Sequence, residues 1–412
     1  MTDRPILDIA EWTRLTPDQQ PQLATIELTD SDRHRLGELA RHSRLRVTEL
    51  RHGLAIETGP EIGTVVLSGL IIRIRPKLAF GQVLSMIASV LNLDRRDRLT
   101  DGVLDPGDSQ VLVEVLARAL AVAVERLLIT GPTMAYRDRT ADLRSPRGTI
   151  RLPPPAGRAG VLHCRYHELS GDLPLNRWVV TGVRQVADRL GPSALALRLR
   201  RLADRFPVSA RQYDDNRSDL RPVTPTRQTR RYQPVLELLE LLGQGGDLYG
   251  GMARLLPDGG FLLDMNRLFE RFVTGCLIRQ APDGVTLSVQ ESRLDAYRYR
   301  YNPSGWQTPV IRPDLLFRRN RRIIAIGDVK YRDYANRPPA SADLYQLTTY
   351  GLAWSEATET PTLLFYPAFD DKPAAAELKF GSGPDRQRLT IQLVGVPVEG
   401  LLSGRIGRWW PI

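Results

Sequence analysis

The chain has 412 residues, of which 57 are lysine or arginine and 47 are aspartate or glutamate, giving a formal net charge of +10 at pH 7. Such a length predicts two or three domains with sizeable cores, and the positive charge fits a polyanionic partner. Two cysteines exclude a disulfide framework and a four-cysteine zinc site, and they favour a reducing, cytoplasmic environment. The polar first residues predict no signal peptide, and the charges within the apolar run 111–129 predict a core helix instead of a membrane span.

The first 250 residues are predicted to be α+β, β-rich to about residue 160 and helical over 161–250. Apolar periodicity predicts helices near 32–42, 81–92, 109–129, 175–190, 193–206 and 235–242. Strand-like patterns cover 45–78 and 160–169, whereas 136–152 is predicted to hold turns and one short strand. Residues 207–234 are rich in Pro, Arg and Asp and predict a connector. The glycines of 243–250 are expected to separate this region from a second domain, 251–412.

The second domain is predicted to be of the α/β class. Helices are expected over 264–279 and 341–354, and strands are expected near 285–291, 311–317, 322–331, 362–367 and 388–394. The strands carry charged residues at their ends, where a catalytic or metal site would need them.

Two neighbouring strands of this domain carry the most informative residues. Asp314 follows Pro313 at a short apolar approach, and Asp328 and Lys330 lie two apart on an apolar run, where side chains share a strand face. Buried charges are rare unless they are paired or bind a metal. Two carboxylates suit Mg²⁺, and a nearby ammonium can orient or deprotonate water. The bland alternative is a strand-end salt bridge between Asp328 and Lys330.

Lysine is scarce in this chain, which makes position 330 conspicuous. Only four of the basic residues are lysine: Lys77, Lys330, Lys372 and Lys379. Arginine stays protonated and cannot act as a base, whereas a buried lysine can shift its pKa. We therefore expect Lys330 to serve a chemical purpose.

Three further side chains are candidates for supporting roles. Glu270 lies at the edge of the apolar face of the 264–279 helix, where it is either a third acidic contact or a surface residue. Gln346 and Tyr350 lie one turn apart on the 341–354 helix, either beside the site or on an ordinary amphipathic face. His163 and His167 are expected to be structural instead of zinc ligands. The sequence contains no phosphate-binding loop of the NTPase type.

Taken together, these motifs resemble the McrC family, the nuclease subunits of McrBC modification-dependent restriction systems. The matching elements extend over nearly the whole chain, and the most specific are Asp264-Met265-Asn266-x-Leu268-Phe269-Glu270, Arg312-Pro313-Asp314, Asp328-x-Lys330-Tyr331 and Tyr345-Gln346-x-x-x-Tyr350. Weaker matches include Ile72-x-Ile74-x-Pro76-Lys77-Leu78, Tyr136, Arg147-Gly148, and Cys164-x-Tyr166 with Asp172 and Asn176.

The resemblance implies a PD-(D/E)xK endonuclease domain over 251–412, with a mixed sheet flanked by helices. Asp314 and Asp328 would hold Mg²⁺, and Lys330 would assist the attacking water. Residues 1–250 would dock on a separate AAA+ GTPase of the McrB type and stimulate it, so that the partner binds GTP. The substrate would be double-stranded, methylated DNA, and the resemblance allows a dimer of nuclease domains in the complex.

Two other functions remain open at this stage. The chain could be a free-standing nuclease whose N-terminal half binds DNA, or a non-catalytic adaptor that only stimulates a GTPase. The combination of Asp314, Asp328 and Lys330 argues against the adaptor.

Overall fold

A computed structural model describes residues 4–91, 109–151, 160–208, 229–242, 253–255, 260–293, 296–354, 360–369, 375–380 and 389–404. The chain divides into two compact units, one formed by Met1–Gly107 with Leu263–Ile412 and the other by Asp108–Leu262. This grouping differs from the predicted single boundary, because the first hundred residues pack with the C-terminal part. The glycine-rich boundary expected at 243–250 lies outside the described residues.

The N-terminal part of the first unit is strand-rich, as predicted. Its elements are β1 (Ile6–Ala10), β2 (Arg14–Leu15), a 3-10 helix (Pro21–Thr25), α1 (Asp30–His42), β3 (Arg46–Leu50), β4 (Gly53–Glu57), β5 (Glu61–Val66), β6 (Ile71–Arg75) and α2 (Phe80–Val90). Strand β6 pairs in parallel with β1 and antiparallel with β5, while β2, β4 and β3 form a separate sheet. Helix α1 begins at Thr29, whose hydroxyl accepts a hydrogen bond from the Asp32 amide in a capping box.

The second unit combines a helical core with a small sheet. Its elements are α3 (Ser109–Thr130), β7 (Ala135–Leu143), β8 (Thr149–Ile150), β9 (Leu162–Ser170), α4 (Pro174–Arg189), α5 (Ala194–Ala203), a 3-10 helix (Arg230–Tyr232), α6 (Gln233–Leu241) and β10 (Ala253–Leu255). The prediction of turns over 136–152 was wrong in part, because β7 is nine residues long and pairs with β9 along its length. Its side chains are exposed or half-buried, so the sequence has no apolar alternation from which the strand could be predicted.

A buried polar network organises this unit around Asn176 of α4. The Asn176 amide donates to the Gly171 and Thr133 carbonyls at 2.7 and 3.0 Å, and its oxygen accepts from the Tyr232 hydroxyl at 2.5 Å. Tyr232 in turn accepts from the Thr133 amide at 2.6 Å. Because both Asn176 and Tyr232 are fully buried, the network replaces all the water that these groups would otherwise bind.

The C-terminal part of the first unit forms a six-stranded mixed sheet with helices. Its elements are β11 (Phe261–Asp264), α7 (Met265–Arg279), β12 (Val285–Val289), β13 (Leu315–Arg319), β14 (Arg322–Val329), α8 (Ser341–Trp354), β15 (Thr362–Pro367), β16 (Ala375–Phe380), β17 (Leu389–Val396) and α9 (Val398–Leu402). The strand order is β12-β13-β14-β15-β17-β16. The predicted α/β class is confirmed.

Helix α8 connects two parallel strands of this sheet. The register pairs β14 with β15 in parallel, and parallel neighbours require a crossover connection. Leu347 of α8 packs in one apolar cluster and Tyr350 and Trp354 in another, so the helix is fixed on the sheet. The crossover therefore brings α8 against the strand that carries Asp328.

None of the helices in the described part of the chain has the length and apolar content needed to cross a bilayer.

Candidate functional site

The ends of β13 and β14 bring the two predicted carboxylates together. Leu315, the first residue of β13, pairs antiparallel with Gly327 of β14, so Asp314 and Asp328 lie next to this pair. The Asp314 Oδ2 accepts a hydrogen bond from the Val329 amide at 2.8 Å. A slip of one residue in this register would turn Asp328 to the other face of the sheet.

Asp328 is a buried carboxylate with few compensating contacts. It is only 1% exposed, and its charged partner is Lys330, whose Nζ lies 3.0 Å from Oδ2. Neither carboxylate oxygen accepts a well-aligned hydrogen bond within the described residues. Burial, and secondarily the negative charge of Asp314, raise the pKa of Asp328 to about 7.

The same surroundings shift the pKa values of Asp314 and Lys330. Burial raises the pKa of Asp314, against the opposing effects of the Val329 amide and of Lys330. Burial alone would lower the pKa of Lys330, but the neighbouring Asp328 and Asp314 outweigh it and raise that pKa. The backbone of Lys330 is held against β15, because its amide donates to the Phe365 carbonyl at 2.9 Å.

Glu270 of α7 lies close enough to this cluster for the charges there to affect its pKa. Burial, followed by the charge of Asp314, raises the pKa of Glu270, and Lys330 opposes the rise. The Gln290 side chain donates to Glu270 Oε1 at 2.9 Å, and the Gln290 backbone amide donates to the Asp314 carbonyl at 3.0 Å. The contact of Gln290 with Glu270 was not predicted from the sequence. Gln290 has a left-handed φ of 48°, a conformation that the residue pattern does not indicate.

The Asp-Met-Asn-x-Leu-Phe-Glu element explains how Glu270 is placed. Asp264 is the N-cap of α7, where its carboxylate accepts from the Asn266 and Arg267 amides. Phe269 packs against Tyr331 with ring centroids 5.8 Å apart, and Glu270 is the next residue along the helix. The motif therefore starts the helix, anchors it and turns one acid towards the site.

Gln346 and Tyr350 join the site from α8. The Gln346 side chain donates to the Tyr350 hydroxyl at 2.6 Å, and that hydroxyl donates to the Arg312 carbonyl at 3.2 Å. Burial raises the pKa of Tyr350, and the charge of Asp328 raises it further. The second contact links Tyr350 to the segment that leads to Asp314.

Two carboxylates near the site were missed by the sequence analysis. Buried Asp343 accepts hydrogen bonds from Arg332 and from the Tyr334 hydroxyl, both at 2.7 Å, and its charge contributes to the raised pKa of Asp328. Glu11 is fully buried and accepts from the Tyr331 hydroxyl at 2.7 Å. Each acid pairs with residues that follow Lys330, but no local spacing in the sequence announces either contact.

The residues present fit a divalent cation with few protein ligands. Asp328 offers two buried oxygens, of which Oδ2 lies 3.0 Å from the Lys330 ammonium, and Asp314 offers a second carboxylate beside it. Mg²⁺ commonly takes one or two carboxylates and keeps several waters. Groups of three or more metal-ligating side chains do not occur in the part of the chain that the structure describes.

Each histidine of β9 lies beside an aspartate of β7. His163 Nδ1 lies 2.7 Å from Asp142 Oδ1, and His167 Nδ1 lies 2.7 Å from Asp138 Oδ1. Each imidazole thus pairs with its own carboxylate on β7.

Comparison with known proteins places the chain in a family. The sequence model described as "McrBC 5-methylcytosine restriction system component" matches residues 56–367, well over half of the chain. The chain belongs to the McrBC family. This match confirms the resemblance drawn from the motifs around Asp264, Asp314 and Asp328. No curated protein matches the sequence.

One solved structure of an McrBC assembly has a similar fold. A chain of the refined half-complex from the tetradecameric assembly of Thermococcus gammatolerans McrB AAA+ hexamers with bound McrC aligns with a TM-score of 0.52 at 18% identity, over 95% of this chain and 94% of that chain. The cryo-EM structure of the Thermococcus gammatolerans McrBC complex aligns at 0.43 and 19%, over 68% of this chain and 88% of that one. The first alignment thus extends over most of both chains.

Proposed function

We propose that this McrBC family chain is the Mg²⁺-dependent DNA endonuclease subunit of a GTP-dependent, modification-dependent restriction complex. It would dock on an AAA+ GTPase of the McrB type, stimulate GTP hydrolysis there, and cut double-stranded, methylated DNA. The observation that supports the cutting role most directly is buried Asp328, which lies beside Asp314 and 3.0 Å from the Lys330 ammonium. The C-terminal part, with its mixed sheet, would be the PD-(D/E)xK nuclease domain.

The roles of the individual residues follow from their contacts. Asp314 and Asp328 would hold Mg²⁺, which when bound supplies Lewis-acid stabilisation of the phosphate and an activated water. The Lys330 ammonium would orient the attacking water and offset charge that builds on the scissile phosphate. Glu270, which is hydrogen-bonded by Gln290, would place a third carboxylate near the two aspartates. Gln346 and Tyr350 would hold the backbone segment that leads to Asp314. Losing one such ligand or donor commonly lowers the rate at least ~100-fold.

A cleavage assay tests the proposal directly. The full chain and its cognate GTPase are incubated with GTP, Mg²⁺ and either methylated or unmethylated duplex DNA. Wild type should cut, whereas Asp314→Ala, Asp328→Ala and Lys330→Ala should not. The matched control is Lys379→Ala on β16, because Lys379 is an exposed lysine that pairs with Glu377 at 3.3 Å and should be dispensable.

The same assay separates the alternatives. Cutting by the chain without the GTPase would identify a free-standing nuclease. Stimulated GTP hydrolysis without cutting by any form of the chain would identify an adaptor. Full cleavage by Lys330→Ala would contradict the assignment of the site. The nuclease proposal expects Lys330→Ala to stimulate the GTPase normally while it fails to cut.

A further inference from the structure

A segment between β12 and β13 exposes an unusual density of aromatic rings. Residues 296–310, here called the Tyr/Arg loop, include four aromatic side chains that are 45%, 44%, 83% and 67% exposed: Tyr297, Tyr299, Tyr301 and Trp306. Single exposed apolar residues are ordinary, but a cluster on one short segment marks a binding surface.

The charge of this loop is entirely positive. Arg298 and Arg300 alternate with the three tyrosines, exposed Arg312 follows, and residues 296–312 contain no aspartate or glutamate. Neither Arg298 nor Arg300 forms an ion pair or a side-chain hydrogen bond within the described residues. Guanidinium groups between exposed rings are complementary to a strand of phosphates and bases, because arginine binds phosphate and every base has a face on which a ring can stack.

The loop is held in shape at its tip. The Asn302 side chain donates to the Trp306 carbonyl at 2.8 Å and accepts from the Trp306 amide at 2.9 Å, which closes a turn around Gly305. The rings of Tyr299 and Trp306 contact at a centroid distance of 6.5 Å. Such pre-ordering reduces the entropy lost when a ligand binds.

The base of the loop borders the candidate site. A β-bridge joins Arg293 to Ile311, and the Arg293 guanidinium lies 5.5 Å from the Trp354 ring centroid of α8. Between this bridge and the strand pair β12–β13, the Gln290 amide binds the Asp314 carbonyl. The loop is thus the continuation of the two strand ends that hold Asp314.

From these observations we infer that the Tyr/Arg loop is a DNA contact of this chain, with Arg298 and Arg300 binding phosphates and Tyr301 and Trp306 packing on bases or sugars. The inference deepens the proposed nuclease function and rests on it for the identity of the polyanion. The loop would hold the DNA strand next to Asp314 and Lys330 without recognising sequence, because stacking and phosphate contacts tolerate any base.

Equilibrium binding to the full chain without Mg²⁺ tests the inference, with fluorescently labelled single-stranded and duplex 20-mers of DNA as probes. Tyr301→Ala with Trp306→Ala should weaken binding of at least one probe about tenfold or more, the range expected for a lost stacking contact. Tyr301→Phe should bind like wild type because the ring remains. The matched control is Phe380→Ala, since Phe380 is 55% exposed on β16 at the opposite edge of the sheet.

Salt titration tests the arginines. Arg298→Gln with Arg300→Gln should reduce the slope of log affinity against log salt by about 1.4 for single strands, or ~0.7 for each lost phosphate contact. The control is Arg322→Gln, because Arg322 is exposed at the start of β14. A 5-iodouracil-substituted oligonucleotide should then photocrosslink to residues 297–306, and Lys379→Ala should crosslink like wild type, because Lys379 is exposed on β16 at the opposite edge of the sheet.

Three outcomes would overturn the inference. They are unchanged binding in both loop variants, crosslinks that map only elsewhere in the chain, and failure of the full chain to bind either probe. Weaker association with the GTPase but unchanged DNA binding would assign the loop to the partner instead. Because crosslinking measures binding and the nuclease assay measures cutting, a failed nuclease assay with intact crosslinking would overturn the proposed function and leave the loop contact standing.

Discussion

The Tyr331 hydroxyl donates a 2.7 Å hydrogen bond to the buried Glu11 carboxylate, which joins residues 320 positions apart. Tyr331 directly follows Lys330, and its ring also contacts Phe269 and Phe369. The same Glu11 oxygen accepts from the Lys77 amide at 2.7 Å. The N-terminal strands therefore contribute a buried acid to the strand end that carries the candidate lysine, which a division of the chain near residue 250 did not anticipate.

Removing the Tyr331 hydroxyl should weaken the first unit. In Tyr331→Phe the buried Glu11 carboxyl loses one of its two donors, and an uncompensated buried polar group costs about 1–3 kcal/mol of unfolding free energy. Urea denaturation monitored by tryptophan fluorescence measures the difference. Tyr301→Phe is the control, because it also deletes a phenolic hydroxyl but from a residue that is 83% exposed. Equal losses in the two variants would show that the contact with Glu11 contributes nothing.

The ionisation of Glu11 should make stability depend on pH. Burial raises the pKa of Glu11 from 4.5 to about 7, so the folded state holds a proton that the unfolded chain releases above pH 4.5. The resulting penalty is absent at low pH, grows between pH 4.5 and 7, and then levels off. From pH 5 to pH 8, without Mg²⁺, wild type should therefore lose on the order of 2 kcal/mol more unfolding free energy than Glu11→Gln.

Denaturation at several pH values checks this difference between the two proteins. The control is exposed Glu57→Gln on β4, which should keep the pH profile of wild type. Parallel profiles for wild type and Glu11→Gln would mean that Glu11 titrates normally in the folded chain.

Divalent cations should stabilise the folded chain through Asp328. Asp314 and Asp328 repel each other when no cation is bound, and a ligand that binds only the folded state raises its melting temperature. Asp328→Asn keeps the shape but removes one charge, so Mg²⁺ should raise its melting temperature less than that of wild type. Thermal melts of both proteins with and without Mg²⁺ measure the two shifts. Equal shifts would place the ion elsewhere.

Lysine at position 330 should not be replaceable by arginine. The ammonium lies in a compact position 3.0 Å from Asp328, whereas a guanidinium is larger, planar and unable to act as a base. Lys330→Arg should therefore cut at less than about a hundredth of the wild-type rate, as Lys330→Ala should. Initial rates in the complete complex measure this, with circular dichroism to verify folding. Near-normal cleavage by the arginine variant would show that positive charge alone suffices.

Asn176 should be a structural residue of the second unit. Its side chain makes three buried hydrogen bonds, so Asn176→Ala leaves the Gly171 and Thr133 carbonyls and the Tyr232 hydroxyl without that partner. We expect a loss of about 2–4 kcal/mol in unfolding free energy, measured by urea denaturation. Asn336→Ala is the control, because Asn336 is exposed and its side chain donates to nearby Asp333. A loss no larger than that of the control would contradict the role of the network.

Local patterns predicted most of the fold around the candidate site. The apolar faces of 264–279 and 341–354 gave α7 and α8 to within one residue, and the apolar run 322–331 gave β14. The pattern failed for β7, because both of its faces are largely solvated. Contacts such as that of Glu11 with Tyr331 depend on strands paired across the whole chain, which single-sequence periodicity cannot register.

The interrupted first unit has a consequence for synthesis on the ribosome. Its chain leaves at Gly107 and resumes at Leu263, so every residue of the second unit is translated before the six-stranded sheet begins. At about 5–20 residues per second, roughly 15–65 s separate the emergence of Glu11 from that of Tyr331. During that interval β1 can pair only with early neighbours such as β6, and Glu11 lacks the Tyr331 hydroxyl as a hydrogen-bond donor. Completion of the candidate catalytic strand end is thus a late event in the life of each new molecule.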